Sequence, residues 1–72
     1  MSNPDSGKHY RIVLRGRLGE RFADAFDGMS LSSRRGETVL EGRLSDQSQL
    51  FGVLDRVRDL AIDIVRVEEL PA

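Results

Sequence analysis

Cysteine is absent, which removes any disulfide framework, thiolate zinc site or thiol nucleophile. His9 is the only histidine, so no second imidazole is available to build a metal set. Aromatic residues are few, with one Tyr, three Phe and no Trp. No apolar run approaches the roughly 18 residues that read as a membrane span. The polar start, Met1 to Lys8, argues against a signal peptide. The cytoplasm is therefore the expected compartment. Charge of one sign is also lacking: 11 basic against 12 acidic residues leave a net charge of −1. That balance excludes a nucleic-acid-coating polycation and a polyanionic tail. What remains is a 72-residue chain, 39 % hydrophobic and 32 % charged. Below about 70–80 residues one core rarely supplies more than about 3–5 kcal/mol. Self-association or a protein partner is a natural source of further stability.

The period of the apolar residues sets out the elements. Residues 1–8 have tail composition, and a single domain is expected over 9–70. His9–Leu18 alternates as a strand, with Tyr10, Ile12, Leu14 and Gly16 on one face and Arg11, Val13, Arg15 and Arg17 on the other. Gly19–Gly28 reads as a short helix through Phe22 and Phe26, four residues apart. Met29–Ser33 and Glu37–Leu44 read as a hairpin whose turn, Arg34-Arg35-Gly36, lets Gly36 take positive φ. Ser45–Leu60 carries the helical stripe Leu50, Val53, Leu54, Val57 and Leu60, with Phe51 expected to widen its core face. Ser45 or Asp46 can cap it, and Asp46 with Gln49 has capping-box spacing. The β-branched run Ile62–Glu68 closes the pattern as a strand.

An internal repeat narrows the topology. Val13-Leu14-Arg15-Gly16-Arg17-Leu18 and Val39-Leu40-Glu41-Gly42-Arg43-Leu44 differ at one position. Each copy ends a strand and leads into a helix and another strand, so the chain reads as two β-α-β units. In series these predict an α+β, ferredoxin-like βαββαβ fold: a four-stranded antiparallel sheet in the order 4-1-3-2, with two helices on one face. Gly16 and Gly42 are expected beneath those helices, where a missing side chain permits close approach.

Such a sheet leaves one face bare. Arg11, Val13 and Arg15 of the first strand, Val39 and Glu41 of the third, and Val65 and Val67 of the last are the expected members of that face. The bland reading is a solvated, charge-laced surface. The sharper one is a small interface, with valines at the centre and Arg and Glu at the rim. The last strand is also an open edge able to pair with another strand.

Other chemistry finds little support. Ser45, Asp46 and Ser48 look like a cap and not a nucleophile with its base. Gly16-Arg17-Leu18-Gly19 precedes a helix start, which can hold an anion, but lacks the spacing and lysine of a P-loop. RNA readers of this topology stack bases on strand aromatics, and Glu37–Leu44 has none. No acid–base pair stands out. The expectation is a non-enzyme without cofactor or metal, binding neither nucleic acid nor membrane.

The segments Asp46–Leu60, Ile62-Asp63-Ile64-Val65, Arg15–Phe22 and Phe26-Asp27-Gly28-Met29 resemble small uncharacterised proteins common in actinobacteria. The resemblance covers most of residues 10–68 and implies no assigned activity. The architecture is also similar to ACT-like ferredoxin folds, which bind small ligands at subunit interfaces. Two functions follow as expectations. The first is a non-catalytic interaction or oligomerisation module, forming a homodimer or docking a protein partner. The second is an ACT-like sensor with an anionic ligand near Gly19 and Arg21.

Overall fold

The structure, a computed structural model, describes residues 7–26 and 28–71; most of the expected tail lies outside them. Strand β1 (Lys8–Arg15) is followed by a 3-10 segment (Glu20–Ala25), then β2 (Met29–Arg34), β3 (Glu37–Leu44), helix α1 (Gln47–Asp59) and β4 (Ile64–Leu70). The four strands form one antiparallel sheet in the order β2-β3-β1-β4. Read from the β4 edge, that order is 4-1-3-2.

Hydrophobic alternation builds the core. Tyr10, Ile12 and Leu14 of β1, Leu40 and Leu44 of β3 and Met29 of β2 bury one sheet face against Phe26 and Val57. Leu18, Phe22, Leu50, Val53, Leu54 and Ile62 pack around this cluster from the loop and the helix side. The helical layer is thinner than expected: α1 is the α-helix of the described residues, and Gly19–Gly28 holds only a six-residue 3-10 segment. Phe22 N–H donates to Gly19 O at 3.0 Å at its start, an i→i−3 bond, and Met29 N–H donates to Phe26 O at 3.0 Å in the turn that follows it. Nucleating an α-helix is costly in so few residues, and a 3-10 turn rises about 2.0 Å per residue against 1.5 Å.

Helix α1 begins and ends through recognisable caps. Asp46 has extended backbone, and its Oδ1 accepts from Gln49 N–H at 3.0 Å, while Gln49 Oε1 accepts from Ser45 N–H at 2.6 Å. At the other end Ala61 takes φ 58°, Ala61 N–H donates to Arg58 O at 2.9 Å and Ile62 N–H to Val57 O at 3.2 Å. This is a Schellman motif with alanine where glycine is usual. The apolar stripe is buried at Val57, but Phe51 lies 57 % exposed instead of widening the core.

The repeat copies meet only in part. β1 and β3 run antiparallel, so Val13 pairs with Val39 and the copies diverge from there. Strand β1 ends at Arg15, and Gly16 makes a bend at φ 95°, where a Cβ would meet nothing within 4 Å. Gly42 stays in β3, opposite Tyr10 and Met29. A Cβ there would stand 2.9 Å from Gly28 O and 3.1 Å from Met29 Cα. Neither glycine lies beneath a helix as expected; Gly42 admits the start of β2. The hairpin turn is Arg35-Gly36, at φ 51° and 78°, the type I′ pattern that suits strand twist.

Candidate interaction surface

The face of β1 away from the core carries Arg11, Val13 and Arg15, and the β1–β3 register sets these against Glu41, Val39 and Glu37. Among the described residues neither α1 nor the 3-10 segment packs on this side; both join the cluster around Ile12. Five of the expected interface residues therefore share one face: Arg11, Val13, Arg15, Val39 and Glu41.

Charge dominates that face. Arg11 Nε donates to Glu41 Oε2 at 2.7 Å, and Arg11 Nη1 stands 3.5 Å from Glu68 Oε1. One guanidinium thus ties β3, β1 and β4 together. The hydrogen bond to Glu41 raises the Arg11 pKa above its usual value despite opposing desolvation. His9 Nε2 lies 4.0 Å from the other Glu41 oxygen, Arg66 Nε 3.4 Å from Glu68 Oε2, and Arg15 Nε 3.9 Å from Asp63. Glu68 Oε1 is shielded from solvent yet accepts no hydrogen bond among the described residues.

Val13 is only 2 % exposed although it faces away from the core. Val39 and Arg66 flank it across the strands, with Arg11 and Arg15 two residues away along its own. Aliphatic stems of long side chains cover apolar surface while their heads stay wet. The apolar centre is consequently smaller than a valine stripe suggests, since Val13 is already covered and Val39 is half-buried.

The last strand departs from period two. The β1–β4 register shifts between Val13 and Leu14: Val13 pairs with Arg66 and Leu14 with Ile64, leaving Val65 as the extra residue. Val65 is half-buried within this bulge. Val67 then pairs with Ile12, so it lies on the helix face and not on the outer face as expected. Arg66 and Glu68 take the outer positions instead. Nothing in hydropathy marks the bulge, because Ile64, Val65 and Val67 are equally β-forming.

On the helix side Ile64 is 37 % and Val67 39 % exposed, and Leu60 is exposed as well. Among the described residues β4 pairs with β1 alone and is a sheet edge. The opposite edge, β2, shows Ser30, Ser32, Ser33 and Arg34 exposed.

The described residues also form concavities. A groove of about 500 Å³ lies between the 3-10 segment and α1, lined by Asp24, Phe26, Leu44, Gln49, Val53 and Arg56 among others. A smaller one of about 230 Å³, bordered by Lys8, Tyr10, Asp46 and Glu69, lies at the start of α1. The expected ligand residue Gly19 is exposed, and the side chain of Arg21 lies outside what the structure describes. No group of three or more His, Asp or Glu residues able to hold a metal occurs among the described residues. No helix among them is long and apolar enough to cross a membrane.

Neither the curated proteins nor the solved structures include a match to this chain. A family model described as a domain of unknown function, DUF8691, matches residues 9–68, the whole sheet and its helix but for the ends, and the chain belongs to that family.

Proposed function

We propose that this chain is a small non-catalytic self-association module of the cytoplasm that joins copies through β4. The fold is read as a ferredoxin-like variant whose first helix has shrunk to a 3-10 segment. The observation that carries the proposal is the β4 edge, with Ile64 and Val67 more than a third exposed beside backbone that meets no further strand among the described residues. An edge strand offers its free N–H and C=O groups to another strand. The outer face competes less well, because its arginines and glutamates already neutralise one another and Val13 is covered.

Light scattering tests this. The expected result is a particle of twice the 8.1 kDa chain mass. Val67→Glu should give a folded monomer, whereas Val39→Glu, on the outer face, should leave the dimer in place. The reverse pattern would move the interface to the outer face. A wild-type chain that stays monomeric at several hundred micromolar would end the self-association reading.

The groove between the 3-10 segment and α1 favours one second reading, an ACT-like sensor of small ligands. A binder at one hundred times its Kd would stabilise the fold by about 2.7 kcal/mol. A flat melting temperature across amino acids and nucleotides would remove it.

A further inference from the structure

We infer that β4 pairs antiparallel with β4 of a second copy about a two-fold axis at Val67, with Arg66 of each chain against Glu68 of the other. This pairing presupposes the self-association proposed above and adds its register. A two-fold perpendicular to the sheet sets one residue of the strand against its own copy. It keeps the helix faces of both copies on the same side. The choice of that residue is then a matter of charge.

An axis at Arg66, Glu68 or Glu69 sets two like charges directly opposite, which is destabilising. An axis at Ile64 or Leu70, the ends of the strand, pairs few residues. Val65 sits in the bulge, where alternation breaks. Val67 remains. An axis there brings the two Val67 side chains together on the helix face, beside the exposed Ile64 positions. On the outer face it sets Arg66 opposite Glu68 twice, once on each side of the axis.

Arg66 is exposed and Glu68 half-buried, so the exchange runs through the Arg66 guanidinium and the Glu68 Oε2 that already faces it. Arg66 and Glu68 lie on the outer face, across from Val13 and Arg11. The intrachain contact from Arg66 Nε to Glu68 Oε2 is a loose 3.4 Å, while Glu68 Oε1 is turned inward, 3.5 Å from Arg11 Nη1. The strand is thus complementary to itself. A foreign strand would need the same alternation of charges to match it.

Complementary variants test the register. Arg66→Glu and Glu68→Lys are prepared separately and shown to be folded by circular dichroism. In either homodimer like charges would face each other at both pairs, so each variant should dimerise at least about tenfold more weakly than wild type. Mixed one to one, the two should form a heterodimer. There the new carboxylate at position 66 faces the new ammonium at position 68, and Glu68 of one chain faces Arg66 of the other. Variants that dimerise as well as wild type, or a mixture that stays monomeric, would overturn the register while leaving self-association intact. A monomeric wild type, its edge kept apart by the bulge and charges, would refute both.

Discussion

Thr38 is the place where a small change should cost most. It is the one buried polar residue of the described core, at 0 % exposure near the start of β3. Its hydroxyl donates to Gly16 O at 2.8 Å and accepts from Leu18 N–H at 2.9 Å. Those two bonds pin the loop that leaves β1 at the Gly16 bend. Thr38→Val keeps the shape and removes both bonds, stranding a carbonyl and an amide that are half-buried. Net hydrogen bonds are worth about 1 kcal/mol each, with an added penalty for the orphaned groups. Partial access of water to Gly16 and Leu18 limits that penalty, so the expected loss is roughly 2 kcal/mol. For a domain of this size that corresponds to a fall in Tm of about 8–16 °C. Thr38→Ser keeps the hydroxyl and loses one methyl, at a cost of about 0.8 kcal/mol. Thermal and urea unfolding followed by circular dichroism, at one protein concentration, rank the two. Valine is the better strand former, so propensity alone predicts the opposite order. A valine variant as stable as the serine variant would refute the reasoning.

Further perturbations test other parts of the frame. Gly42→Ala should destabilise by about 1–3 kcal/mol, as overpacking does, because the new methyl meets the Gly28 carbonyl and Met29 backbone and not a flexible side-chain end; a melt unchanged from wild type would show that β2 can move away. Ala61→Gly should raise stability by about 0.5–1 kcal/mol, since alanine pays a left-handed penalty at φ 58°; a lower melting temperature would mean that unfolded-state entropy outweighs that relief. Asp46→Ala should cost about 1 kcal/mol through loss of the bond to Gln49 N–H, read as a lower urea midpoint at unchanged slope. Asp46→Asn, which keeps the acceptor, should recover most of it.

Local signals carried far in this chain. Alternation of Tyr10, Ile12 and Leu14 marked β1 and its buried face, and the stripe Leu50–Val57 marked α1 with Ser45 or Asp46 as its cap, of which the structure uses Asp46. The duplicated hexapeptide pointed to β1 and β3 as neighbours. Each of these depends on residues a few positions apart, whose periodicity is written along the chain. Arg35-Gly36 was legible as a turn for the same reason.

Three outcomes departed from that reading. Gly19–Gly28 had helical spacing, yet it holds only a six-residue 3-10 segment, a form common in short connectors. Gly42 is small because Gly28 and Met29 press against it from the neighbouring strand, and no property of β3 alone reveals that. The bulge at Val65 turned Val67 from the outer face to the helix face. A strand of β-branched residues suits either face, so its register is chosen by the partner strand. Composition and periodicity thus determined that a four-stranded sheet would form, with one side left bare by the helix and the 3-10 segment among the described residues. Only the pairing of β4 with β1 decided which residues of its last strand face outward, because a one-residue slip exchanges the two faces.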